Sequence, residues 1–256
     1  MRDPAAPSQG RSARAAEPDK SAQEERERVD FRDGDWGLAV TPFLFAPSTL
    51  GTVTLLDRSA DLDLTIFDAL ANLQMVLAGD IAARWRDLVL NVNTWYINLG
   101  TSAFSNGEQA RVGANFWITD TYAKYGFAFG KGKERLELLA GARIYSAALG
   151  LDIANGPRFD DDHNWVQPLV GLEYQSIWSD KWWFRAHADM AGFDPNDDFS
   201  SNLNAAFGRK FFKRSTLWFG YKMLWTQKTW GPGPPVLETG LDLFMHGVLA
   251  GWEWAF

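Results

Sequence analysis

The segment Gly247-Val-Leu-Ala-Gly-Trp-Glu-Trp-Ala-Phe256 sorts its residues with a period of two. Val248, Ala250, Trp252, Trp254 and Phe256 fall on one face, and Leu249, Gly251, Glu253 and Ala255 on the other. Period two belongs to a β-strand whose faces meet different surroundings. A large apolar face with aromatics crowding one end, opposite a small and mixed face, suits a strand set between lipid and a lumen. The same alternation recurs from Trp36 onward, so the constraint extends to the whole fold.

Read this way, the chain breaks into about ten strands, with eight to twelve compatible with the pattern. The first covers residues 36–46, with Trp36, Leu38, Val40 and Leu44 in one phase. Phe43 and Phe45 sit in the other, so large residues also face inward near its far end. A long connection, 47–71, holds a small hairpin (51–56 against 60–64) and a helical turn at 67–71. It is expected either to fold inward as a plug or to extend the sheet outside. Loops are expected at 100–109, 152–164, 194–198 and 230–235, where Gly, Pro, Asn and Asp gather. Two strands change phase along their length. Residues 112–118 are out of step with Ala123, Tyr125, Phe127 and Phe129, which suggests a bulge or a part standing clear of the bilayer. Leu241, Leu243 and Met245 are out of step with Val248 and Ala250, which suggests a bulge at Gly247. Long and short connections alternate, the short ones rich in Lys and Arg and the long ones in Asp, as in an up-and-down membrane barrel.

Composition narrows the class further. The 256 residues carry a net charge of −7, which gives no electrostatic footprint for nucleic acid. Cysteine is absent, which excludes thiolate catalysis and Cys-based zinc sites. Thirteen Trp and eighteen Phe in a modestly hydrophilic chain call for interfacial belts. No run of about eighteen apolar residues exists, which excludes a transmembrane helix but not barrel strands of about 9–11 residues. Residues 1–34 are different material, rich in Ala, Arg, Glu, Pro and Ser, and are expected to form a disordered polar extension before a barrel over 35–256. They hold no apolar core of a signal peptide, so export requires a signal already removed or a misassigned start.

The polar phase decides which way the faces point. A soluble barrel would carry Lys and Glu densely on its outside. Here the polar phase is mostly Gly, Ala, Asn and Gln with single charges of mixed sign, the lining of a narrow lumen. The expected lumen residues are Asp80, Arg84, Asn91, Asn93, Lys124, Glu137, Arg143, Glu173, Arg185, His187, Asp189, Lys222 and Glu253. The apolar phase holds no charge across about ten residues, as bilayer depth demands.

The chain also resembles a group of uncharacterised proteobacterial outer-membrane β-barrel proteins. The likeness runs over residues 36–256. It rests on Pro42-Phe-Leu-Phe-Ala-Pro47, Gly51-Thr-Val53, Ala60-Asp-Leu-Asp-Leu64 with Asp68-Ala-Leu-Ala-Asn-Leu73, Gly141-Ala-Arg143 and Pro168-Leu-Val-Gly-Leu-Glu-Tyr174. The resemblance implies a barrel in the outer membrane and brings no activity with it.

The lumen charges have two readings. They line a small selective pore, or they pair with one another and fill a barrel whose strand number lies near the closed end of the range. His187 and Asp189 share one face, but no Ser stands out to complete a hydrolytic triad. His163 and His246 have no evident partner. Asp160, Asp161, Asp162, Asp194, Asp197 and Asp198 lack the spacing of a dedicated calcium loop. The expectation is therefore a bacterial outer-membrane barrel with both termini periplasmic, serving as a narrow passive pore or small-solute binding barrel. The alternative is a closed structural or interaction barrel acting through its loops or tail, with a lumenal or interfacial hydrolase behind it. The expected partners are outer-membrane lipid and small solutes or ions, with no nucleic acid. No enzyme activity, cofactor or metal is expected.

Overall fold

The computed structural model describes residues 35–55, 58–67, 76–105, 108–130, 133–153, 158–194, 197–212, 214–230 and 239–256. The polar extension expected over 1–34 lies wholly outside them. The elements are β1 (Trp36–Leu55), β2 (Arg58–Leu64), β3 (Val76–Trp85), β4 (Leu88–Ser105), β5 (Glu108–Phe129), β6 (Glu134–Ile153), β7 (Arg158–Ile177), β8 (Trp182–Asp194), β9 (Asp198–Phe212), β10 (Ser215–Trp230) and β11 (Thr239–Ala255). All neighbours pair antiparallel, and β11 returns to β1 to close the cylinder. Leu38 and Phe256 seal the seam, each N–H donating to the other's carbonyl at 3.2 and 2.8 Å.

Eleven segments make ten staves. β2 pairs with the far half of β1 (Thr49 opposite Leu64) and β3 with its near half (Phe45 opposite Val76), so β2 and β3 are two pieces of one interrupted stave. This corrects the reading of 47–71 as a connection. Its first part continues β1, and the small hairpin is an extension of the sheet rather than a plug. A helical turn does begin at Ile66 and Phe67, but the rest of it lies outside the described residues. The loops expected at 100–109 and 152–164 are likewise mostly strand, and Asp160 to His163 belong to β7.

The strands are longer than a membrane needs. Twenty residues of β1 rise roughly 50 Å along the axis at the usual tilt, against an apolar band of about 25 Å. The outer wall marks where the band lies. At the end carrying the short turns, Trp36, Trp85, Trp178, Trp182, Phe211, Phe212, Trp254 and Phe256 stand exposed. The guanidinium groups of Arg86 and Arg209 cover Trp85 and Trp182. Toward the hairpin end lies a second aromatic level. There Tyr96 packs on Trp117 at 5.1 Å, and Trp225 Nε1 donates to Asp242 Oδ1 at 2.7 Å. Between the two levels the outer face is apolar, with Leu90, Val92, Leu138, Val170, Leu172 and Leu203 exposed. Above the second level it carries Asn98, Asp162, Asn164 and Asp242.

The interior changes in the opposite sense. Within the band the inward residues are largely polar and charged, with small apolar groups at Ala39, Ala82 and Val89 and at Leu139, Leu169 and Ala191. Above it they form one apolar cluster that includes Phe45, Val53, Leu55, Leu62, Trp95, Ile97, Phe116, Ile118, Leu149, Trp165, Leu224, Leu241, Leu243 and Met245. Where the outer face is apolar the inside is largely polar and charged; where the outer face is polar the inside is a packed apolar core.

This inversion replaces both expected bulges. β5 pairs with β4 and β6 in unbroken register, so Ala114, Phe116 and Ile118 face inward in the same phase as Asp120, Tyr122 and Lys124. β11 runs unbroken past Gly247 against both neighbours. The polarity switches and the geometry does not, so residues 112–118 are the part standing clear of the bilayer. Register shifts do occur elsewhere, at Ser215/Thr216 and between Ala191 and Asp194, where Gly192 and Phe193 take positive φ.

β8 and β9 are short, and β8 pairs only with Leu169–Ile177 of β7. Above that hairpin, β7 meets β10 and β11 through side chains. His163 stacks on Trp230 at 4.3 Å, Trp165 meets Trp230 edge-on at 5.0 Å, and Thr239 Oγ1 donates to Asp161 Oδ2 at 3.4 Å. The cylinder therefore tapers over its low side.

A candidate lumenal site

Strand register assembles the lumen. One row of directly opposed residues runs Thr41, Asp80, Asn93, Asp120, Arg143, Gln167 across six strands. A second runs Glu137, Glu173, His187, Asn204, Lys222 across five. All are inward positions, since period two keeps alternate residues on one face.

Arg143 is fully buried, at 0% exposure. Its Nε donates to Asp120 Oδ1 at 2.6 Å, and Nη2 donates to Asp120 Oδ2 at 3.0 Å and to Asp189 Oδ1 at 2.9 Å. Nη1 donates to Ser200 Oγ at 3.1 Å. The flat guanidinium fork suits this two-carboxylate clamp, which an ammonium could not make. Lys124 Nζ lies 3.2 Å from Glu137 Oε2 and 3.1 Å from Glu173 Oε1. Arg185 reaches Glu173 and Glu253, at 3.5 and 3.7 Å. A charge buried without such a partner would cost several kcal/mol.

His187 sits between two carboxylates, Nδ1 at 3.3 Å from Glu173 Oε2 and Nε2 at 2.7 Å from Asp189 Oδ2. With both ring nitrogens engaged, it has none to offer a serine. Ser200, the inward hydroxyl nearby, donates instead to Gln167 Oε1 at 2.6 Å. The ring is held between two carboxylates, and Ser200 is not among its hydrogen-bond partners.

Beside this network lies a cavity of about 90 Å³. Its ionisable lining is Asp80, Asp120, Glu173, Arg185, His187 and Lys222, with Tyr122, Asn93, Asn202 and Asn204. Phe43, Trp183, Trp218 and Leu249 supply apolar walls. Trp218 packs against Phe43 at 5.7 Å, and Arg185 lies 4.8 Å over the Trp183 ring. Lys222 reaches across the lumen to lie over Trp95, 3.5 Å from the ring centroid.

All thirteen residues expected in the lumen fall at inward strand positions. The structure brings most of them into the two rows or their direct contacts. Arg84 stands nearer the short turns, where its Nη1 donates to the Arg86 carbonyl at 3.2 Å. Sequence reasoning missed Asp120 and Tyr122 as site members, although their phase in β5 was legible. It also missed Asn202, Asn204, Trp95, Trp183 and Trp218, which nothing in a single strand distinguishes from any other inward residue. His163 and His246 do have partners: Asp161 at 2.9 Å and the Tyr221 hydroxyl at 2.6 Å.

No family model matches the chain, and no curated protein matches it. Among solved structures, it is similar to Neisserial surface protein A at 10% identity, covering 87% of this chain and 98% of that one with a TM-score of 0.38. It is similar to the translocator domain of the autotransporter NalP from Neisseria meningitidis at 12% identity, covering 93% and 95% with a TM-score of 0.46. It is also similar to the transport unit of the autotransporter AIDA-I from Escherichia coli at 8% identity, covering 92% and 97% with a TM-score of 0.44. The likeness is one of barrel architecture, at identities too low to carry a function across.

Proposed function

We propose that the protein is a bacterial outer-membrane β-barrel with a closed, non-conducting lumen that holds a small-solute pocket. The observation that carries this reading is the apolar cluster filling the lumen above the ion network, in which Trp95, Ile97, Leu224, Leu243 and Met245 are almost wholly buried. A continuous water path is what conduction requires, and side chains packed at core density leave none. The aromatic levels and the apolar band between them support a bilayer setting. Both ends of the described barrel lie with the short turns, the arrangement of periplasmic termini in such barrels.

Refolded protein in a planar bilayer tests the reading. No steady current is expected from the intact chain, while a variant with Leu224, Leu243 and Met245 all changed to Gly opens a measurable path. Stable unitary steps from the intact chain would overturn closure and restore the narrow pore.

A further inference from the structure

We infer that the lumenal cavity binds a small zwitterion bearing one ammonium and one carboxylate, of the size and chemistry of a small amino acid. This rests on the reading of the lumen as a binding barrel, and it goes further by naming the ligand class.

The starting point is which charges around the cavity are paired. Of the six ionisable side chains Asp80, Asp120, Glu173, Arg185, His187 and Lys222, four have an opposite charge in direct contact. Asp120 has Arg143, Glu173 has Lys124, Arg185 has Glu173 and Glu253, and His187 has Glu173 and Asp189. Two remain among the described residues. The Asp80 carboxylate is held only by amides, Asn91 Nδ2 at 3.1 Å and Asn93 Nδ2 at 3.2 Å. The Lys222 ammonium rests on the Trp95 face with no carboxylate in salt-bridge contact among the described residues, Asp120 acting on it from farther off, although the residue is just 5% exposed. Both line the same cavity, with opposite sign and no bridge between them.

A buried ammonium resting on an indole has a weak partner and keeps unused N–H donors. A carboxylate with two amide donors keeps acceptor capacity in the same way. A single small anion would satisfy Lys222 and place a second negative charge beside Asp80. A single cation would do the reverse to Lys222. A zwitterion completes both, carboxylate toward Lys222 and ammonium toward Asp80, and adds no net charge to a low-dielectric interior. Asn202 adds a third unused group. Its Nδ2 donates to Asp189 Oδ2 at 2.7 Å, and its buried Oδ1 has no partner among the described residues. It is a further acceptor for an ammonium.

Size points the same way. A cavity of about 90 Å³ is smaller than the roughly 150 Å³ that takes a benzene-sized molecule. That favours a compact ligand on the scale of glycine, alanine or serine. The walls of Phe43, Trp183 and Trp218 would face the ligand's hydrocarbon. Trp95, Trp183 and Trp218 also give the site an optical signal.

Refolded protein in detergent micelles is titrated with glycine, L-alanine, L-serine, acetate and methylammonium, following tryptophan fluorescence and calorimetric heat. The three zwitterions are expected to bind at least tenfold more tightly than either single ion. Asp80→Asn is expected to erase that preference while leaving acetate binding in place; Lys222→Met is expected to abolish both. Each variant is first checked for the folded, heat-modifiable band on a gel. Should a variant fail to fold, the ligand panel on the unaltered protein still decides. Equal binding of acetate and glycine, or no heat from any of the five, would overturn the inference and identify the cavity as solvent-filled. The bilayer recording reads the other claim separately. Current with zwitterion selectivity would sink closure and keep the site, whereas silence without binding would keep closure and sink the site.

Discussion

Glu137 on β6 and Glu173 on β7 stand directly opposite each other, and the ammonium of Lys124 from β5 bridges them at 3.2 and 3.1 Å. Like charges facing across a strand pair repel, and the lysine is the one cation in contact with both carboxylates among the described residues, beside Arg135 on Glu137 and Arg185 on Glu173. Lys124→Met is expected to cost about 1.5–3 kcal/mol, the range for a lost charged hydrogen bond, since Glu137 keeps Arg135 and Glu173 keeps Arg185 and His187. Adding Glu137→Gln should return part of that loss. Denaturant unfolding from lipid vesicles measures both, and strictly additive single and double variants would argue against a bridge.

The bilayer boundary makes a second prediction. Leu90 lies on the outer face of β4 midway between Trp85 and Tyr96 and is 57% exposed. Leu90→Arg is expected to cost about 2–4 kcal/mol, as arginine does near the midplane. Asn98→Arg, on the same face of the same strand beyond Tyr96, is expected to cost no more than about 1 kcal/mol. Similar costs at the two positions would move the boundary or remove it.

A third concerns the apolar half of the lumen. Leu243 is packed in the upper cluster with almost no exposure. Leu243→Ala is expected to cost about 2–5 kcal/mol, as cavity creation in a dense core does. A loss below 1 kcal/mol in the same unfolding assay would mean that this region is loosely packed or hydrated.

Gly247 supplies a fourth. A β-carbon there would strike the carbonyl oxygen of Ala46 on β1, a backbone atom with no easy retreat. Gly247→Ala is expected to destabilise the barrel by about 1–3 kcal/mol through overpacking. An unchanged unfolding midpoint would show that the seam between β1 and β11 yields.

Much of this molecule is legible from alternation alone. The stave count, the inward set from Asp80 to Glu253 and the outward aromatics follow from period two and the chemistry of lipid. What alternation could not separate was a slip of register from a change of surroundings. In β5 and β11 the apolar residues cross from one phase to the other. With lipid assumed along the full strand, that reads as a bulge. The strands instead pass out of the bilayer with register intact. Ile118 and Asp120 are inward neighbours two residues apart, one in the packed core and one clasped by Arg143. Partners across the lumen were illegible for a simpler reason. Arg143 and Asp189 belong to strands two apart in the sheet, as do Lys124 and Glu173, and Lys222 crosses the lumen to Trp95. Nothing in a local pattern records which long side chain reaches which.

The tapered, apolar-cored upper sheet has a consequence for handling the protein outside a cell. Its shape is held from within by Trp95, Phe116, Leu243 and their neighbours, whereas the lower wall needs a greasy solvent pressed against Leu90, Val170 and Leu203. Stripping lipid is therefore expected to act unevenly: the wall around Leu90, Val170 and Leu203 loosens first, while the sheet packed around Trp95, Phe116 and Leu243 keeps its form longer.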